Sequence, residues 1–136
     1  MNPVNVNYLA VLVCGILGMV IGALWYGPIF GKAWMKELGK TEEDLRKDFN
    51  PAKTYSLAFL STLVLIFTLA YFISLTGAST IIEGFRVALT AWVGFTLFTA
   101  IIVNLFENKS FKLLAVNAFY HLVLLLVASI IIILWN

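Results

Sequence analysis

The chain has 136 residues, room for one compact domain. It is 62% hydrophobic and 12% charged, where an ordinary soluble domain carries roughly 25% charged residues. A soluble fold of this size keeps too much surface wet to hide so much apolar material, which excludes the common globular classes. The net charge of +2 gives no indication of nucleic acid as a partner.

The apolar residues fall in blocks. Tyr8 to Tyr26, Thr54 to Ile82, Val87 to Phe106 and Leu113 to Trp135 contain no Asp, Glu, Lys or Arg. A helix crosses hydrocarbon with about 20 apolar residues, and each block reaches or nearly reaches that. The polar stripe of a soluble bundle helix is missing from all of them. The expected fold is all-α, an integral membrane four-helix transmembrane bundle. It forms one domain over 1–136, with spans near 7–27, 53–76, 82–106 and 111–135. A short amphipathic helical loop, 28–52, joins the first and second spans.

The first block reads as a span and not as a signal peptide. Its leader "MNPVNVN" has no Lys or Arg, and no small-x-small site precedes the charged loop. Cys14, the single cysteine, has no partner for an internal disulfide and is expected to be a small packing residue. Gly18-x-x-x-Gly22 offers a face on which another helix can approach closely. At the end of this span Trp25, Tyr26, Pro28, Phe30, Lys32 and Trp34 form an aromatic and basic stretch. Such residues favour the headgroup level, so they are expected to anchor the span there. A lipid-headgroup or ligand pocket is the alternative use.

In the loop, Trp34, Leu38, Leu45 and Phe49 share a face if two short helices follow one another, interrupted by Gly39 and Lys40. Thr41 with Asp44 makes a capping start for the second helix, and Glu42 with Arg46 and Glu43 with Lys47 are favourable pairs. This segment is expected to lie along the membrane surface, with partner docking as the alternative. Asn50-Pro51 marks the start of the second span as an N-cap and a first-turn proline.

Thr80 and Glu83 fit a capping box at the start of the third span, with Arg86 as a partner for Glu83. Helix capping is the first reading of Glu83 and Arg86, and an outward-facing charged gate the second. Gly84-x-x-x-Ala88 and Thr90-x-x-x-Gly94 supply further close-packing faces, within one chain or between two. Asn108-Lys109-Ser110 matches a glycosylation acceptor but sits in a short loop between spans.

The fourth block carries Asn117 and the single histidine, His121, one turn apart. Counted from Phe111, they lie roughly 9 and 15 Å into the membrane. Polar atoms facing lipid at that depth cost several kcal/mol, so this face should turn inward. Thr96 and Thr99 on the third span and Ser61 and Thr62 on the second fall at comparable depth. Gly15 and Gly18 would let the first span come close. The expectation is a buried polar layer, with a neutral His121 bonded to a hydroxyl and Asn117 tying the third span to the fourth, Asn104 within its reach. Such a layer serves as structural glue, or as a proton relay or ligand site.

"GALWYGPIFGKAWMKELG", "NPAKTYSLAFLSTLV" and "LFENKSFKLLAVNAFYHLVLLL" resemble the successive signatures of a small prokaryotic integral-membrane family, the domain of unknown function 1761. The resemblance spans nearly the whole chain and implies a compact unit of four membrane helices. It implies no reaction. "VASIIIILW" lacks a glycine expected near the last turn.

The residues themselves favour no catalysis. One His and one Cys do not make a metal ligand set, and nothing beside His121 argues for haem. No phosphate-cradling glycine loop and no Ser-His-Asp set is present. No cofactor is expected. Two functions remain: a structural or accessory membrane component that oligomerises or docks a membrane partner, and a small transporter or channel subunit with a polar site around His121. The first is favoured, because the spans lack the several charges typical of ion-coupled transport.

Lys32, Lys36, Lys40, Arg46, Lys47 and Lys53 lie between the first two spans, and Lys109 and Lys112 between the last two. Only Arg86 lies on the other side. The positive-inside rule then puts both loops in the cytoplasm and both termini outside, in the inner (plasma) membrane. Reporter fusions at Asn136 and within Lys40 to Lys47 should report opposite sides, and a cytoplasmic C-terminus would overturn this topology.

Overall fold

The computed structural model describes residues 3–135. The C-terminal reporter position Asn136 lies outside the described residues. The architecture is all-helical among these residues. Four helices are long and apolar enough to cross a membrane: α1 (Tyr8–Ile29), α4 (Pro51–Thr76), α5 (Ile81–Glu107) and α6 (Phe111–Leu134). Two short helices, α2 (Gly31–Leu38) and α3 (Glu42–Arg46), occupy the first loop.

The helix ends fall where side chains satisfy the first orphan N–H groups. Asn7, Asn50 and Ser110 each accept from a backbone N–H three residues on, opening α1, α4 and α6. Thr41 with Asp44 and Thr80 with Glu83 form complete capping boxes for α3 and α5. Glu83 therefore spends its carboxylate on the Ser79 and Thr80 N–H groups. No ion pair to Arg86 forms among the described residues; the pair is a cap with an exposed arginine. Of the two expected loop pairs, Glu42–Arg46 forms and Glu43–Lys47 does not. Lys47 has already left the helix with an extended backbone.

α1 ends in a wider, π-helical turn over Trp25–Ile29 that contains Pro28. Proline lacks the N–H of a regular turn, and the wider turn is closed instead by Phe30 N–H donating to Trp25 O at 2.8 Å. The chain then reverses so tightly that a Cβ on Gly31 would stand 2.6 Å from Tyr26 O. α5 has a similar widening over Trp92–Leu97.

α6 is the inner helix of the bundle and packs against every other span. Its buried residues include Leu124, Leu125, Ala128, Ile132 and Ile133. These meet Val11 and Cys14 of α1, Ile66, Leu69, Ala70 and Ile73 of α4, and Ala88 and Trp92 of α5. Cys14 is buried with its thiol against Ala128 O at 4.0 Å, the packing role expected for it. The two charged loops share one end of the bundle, where Ser110 Oγ donates to Glu37 at 2.8 Å. Ser110 also caps α6, and Asn104 Nδ2 donates to Lys109 O at 2.9 Å, so Asn108-Lys109-Ser110 is a tight structural turn.

Small residues set the approach of the spans, though not at every motif. A Cβ on Gly18 would meet Thr62 Cγ2 at 2.9 Å and Leu124 Cδ1 at 3.0 Å, and one on Gly84 would meet Ile133 Cγ1 at 2.9 Å. Ala88 is fully buried beside Gly84. Gly22 faces the Tyr120 hydroxyl, 3.1 Å from where its Cβ would be. Gly94 differs: nothing lies within 4 Å of its Cβ position. Trp92 points into the bundle, so Gly94, two residues on, faces outward with Thr90. Gly84→Leu should lower stability by roughly 1–3 kcal/mol through overpacking, whereas Gly94→Leu should leave it unchanged or slightly raised through helix propensity. Thermal unfolding in detergent followed by circular dichroism measures both.

Candidate functional site

α1 and α4 touch where Gly15 and Gly18 admit Leu63 and Thr62, then diverge toward the loop end. Pro51 to Ala58 at the start of α4 are consequently exposed throughout. The divergence opens a wedge-shaped groove of about 1050 Å³ between α1 and α6 on one side and α4 on the other. Its narrow end is apolar, at Gly18, Leu65 and Leu124. Asn117, His121, Ser61 and Thr62 add polar groups to the lining, and Leu45, Phe49 and the Glu42–Arg46 pair of the first loop line its mouth.

Specific bonds fix the polar residues of the α1–α6 wall. Tyr26 OH donates to Asn117 Oδ1 at 2.7 Å, joining α1 to α6. Trp25 Nε1–H donates to Val116 O at 2.8 Å one residue away. Tyr120 OH donates back to Gly18 O at 3.0 Å. His121 Nδ1 lies 3.0 Å from Asn117 O. A carbonyl only accepts, so Nδ1 carries the hydrogen. The rings of Tyr26, Trp34, Tyr120 and His121 run on from one another at centroid distances of 5.1 to 5.4 Å. On the α4 side Phe49 and Tyr55 form a separate edge-to-face pair at 5.7 Å. The mouth is held by the α3 cap, where the Thr41 N–H and hydroxyl keep the Asp44 carboxyl below its usual range.

Residues 9–133 match the family described as "Protein of unknown function (DUF1761)". The chain belongs to that family. No curated protein and no solved structure matches it. The site in this family member therefore has to be read from its own geometry.

The residues singled out in the sequence divide into two groups. Asn117, His121, Ser61, Thr62, Tyr26 and Trp34 meet in the groove. Asn104, Thr96 and Thr99 do not line it. Asn104 is used in the turn to α6, and Thr99 is exposed on the outer face of α5. The bond from the third span to the fourth comes from Trp92 Nε1–H, which donates to Ala118 O at 2.7 Å. Asn117 ties the first span to the fourth instead. His121 bonds a carbonyl of its own helix and not a hydroxyl. Thr62 likewise turns its hydroxyl to Ala58 O at 2.7 Å.

The aromatic stretch after α1 is split as well. Pro28 and Lys32 are exposed, while Trp25 and Tyr26 are half-buried and bonded to α6. Phe30 packs on Trp25, ring centroids 4.5 Å apart. The amphipathic loop places Trp34, Leu45 and Phe49 on the groove and leaves Leu38 outside it. Sequence reasoning missed Tyr120, Thr54 and Tyr55. Tyr120 had a signal, since a phenol inside a span needs a hydrogen-bond partner as much as an imidazole does. Among the described residues, no three His, Cys, Asp or Glu side chains gather where a metal could sit.

Proposed function

We propose that the protein is an integral membrane component that takes an uncharged amphipathic small molecule into the groove between α1, α4 and α6. The observation that carries this reading is the groove's lining, largely apolar with a few polar groups held by bonds on the α1–α6 wall. The groove runs from Glu42, Leu45 and Arg46 of the first loop to Gly18, which packs closely on Thr62 and Leu124. Beyond that contact the bundle core holds Cys14, Ile66, Leu69, Ala70, Leu125 and Ala128. Ser129, the buried hydroxyl there, is bonded to Leu126 O at 2.7 Å. A largely apolar cavity with a few fixed polar groups suits binding better than conduction. Following the basic-residue bias, the mouth faces the cytoplasm.

Oligomerisation is a second reading, favoured by the outward Thr90 and Gly94 with open space at the glycine. Under it, the Gly94→Leu variant keeps its melting temperature but loses self-association on crosslinking in membranes.

For the groove reading, the full chain in nanodiscs is titrated with 11-bromoundecanol, whose bromine quenches tryptophan on contact. Tryptophan emission, to which Trp34 on the groove contributes, should fall saturably. Ser61→Phe, which fills the groove from an exposed wall position, should convert this to weak, linear quenching. Liposomes carrying the protein should stay tight to protons and potassium. Identical quenching in both proteins, or ion flux through the wild type, would overturn the proposal.

A further inference from the structure

We infer that the groove selects an amphiphile of the phenol class, whose ring hydroxyl donates a hydrogen bond to His121 Nε2. The inference rests on the groove being a binding site and names what it takes.

The unspent hydrogen-bonding capacity on the wall sets the head of the ligand. Nδ1–H of His121 is committed to Asn117 O, so in the uncharged ring Nε2 presents a lone pair. Asn117 Oδ1 is committed to Tyr26, which leaves the Asn117 amide N–H groups as donors. Among the described residues neither Nε2 nor the amide nitrogen has a partner. No buried side-chain nitrogen or oxygen among them lacks one, so these two nitrogens are open to the groove that their residues line. One open acceptor beside one open donor matches a hydroxyl, which donates through its hydrogen and accepts on its oxygen.

Charge excludes the ionic alternatives. The ionised groups on the lining, Glu42 and Arg46, are paired with each other at the mouth. A carboxylate or ammonium head would enter the wedge without a free counter-charge and lose its hydration.

The aromatic lining points to a ring. Tyr26 and Tyr120 belong to one wall, Phe49 and Tyr55 to the other. Among the described residues no ring of one wall packs on a ring of the other. Aromatic side chains thus line both walls, and a ring entering between them gains offset or edge contacts beyond simple burial. The apolar end at Leu65 and Leu124 then takes the alkyl tail.

His121 is the single histidine of the chain, so its ring nitrogens give one unambiguous set of NMR signals. The full chain, labelled with ¹⁵N-histidine and purified on a histidine-free tag, is placed in phosphatidylcholine nanodiscs. It is titrated with 4-nonylphenol and with its methyl ether, 4-nonylanisole, which keeps ring and tail but cannot donate. Tryptophan fluorescence reads affinity, and the ¹⁵N spectrum reads the imidazole. The phenol should bind about five- to tenfold more tightly than the ether, the effect of one added hydrogen bond. Nε2 should move upfield with the phenol and stay in place with the ether. His121→Phe should abolish the preference while ether binding is retained; should that variant not fold, the wild-type spectrum alone decides. Saturable binding of both probes with equal affinity and an unmoved Nε2 overturns the phenol assignment and leaves the groove intact. Saturable binding of neither probe overturns the groove reading and this inference with it.

Discussion

Hydrocarbon offers no hydrogen bonds, so polar groups within a span must find partners inside the protein. This chain meets the constraint largely with the carbonyls of α6. A helical carbonyl already accepts from the N–H four residues on, but its second lone pair is free. Trp25 uses the one at Val116, His121 the one at Asn117, and Trp92 the one at Ala118. These three acceptors lie within a single turn and bind α1, α6 itself and α5. The inner position of α6 follows, because a helix that accepts from both sides has to stand between its donors.

The same bonds explain why the groove persists. Tyr26 and Tyr120 fasten α1 to α6 at the loop end, through Asn117 and Gly18 O. Among the described residues no comparable bond holds α4 there. Its hydroxyls at Thr62 and Thr68 turn back to their own helix carbonyls. α4 is held instead by apolar contacts of Ile66, Leu69 and Ile73 in its other half. A helix gripped at one end and released at the other makes a wedge. α2 and α3 add Trp34, Leu45 and the Glu42–Arg46 pair to its lining, and the Gly39 turn, with φ of 70°, lets the chain change direction between them.

Much of the architecture was legible in the residues because its causes are local. Asn50-Pro51, Thr41 with Asp44, and Thr80 with Glu83 cap their helices through atoms no more than three positions apart. The uncharged blocks gave the spans because crossing hydrocarbon depends on length and polarity alone. The axial positions of Asn117 and His121 followed from the helical rise, and their common face from a turn of about 3.6 residues. Their partners did not. Asn117 is bonded across 91 positions to Tyr26, and nothing near either residue encodes that separation. Thr96 and Thr99 lie at a suitable depth yet do not line the groove, since depth fixes height in the membrane and not rotation about the helix axis.

The sequence by itself determined a membrane-spanning helical chain, its caps, and a polar pair deep in the last span. Each of these depends on composition, on the 1.5 Å rise of a helix or on bonds within one turn. Only the tertiary structure decided that α6 stands at the centre and that Gly84 is packed while Gly94 is open. It also decided that α4 diverges from α1 and α6 to leave a groove at His121. Those outcomes depend on helix rotation and tilt, which are set by which distant side chains meet and how closely glycine allows them to approach.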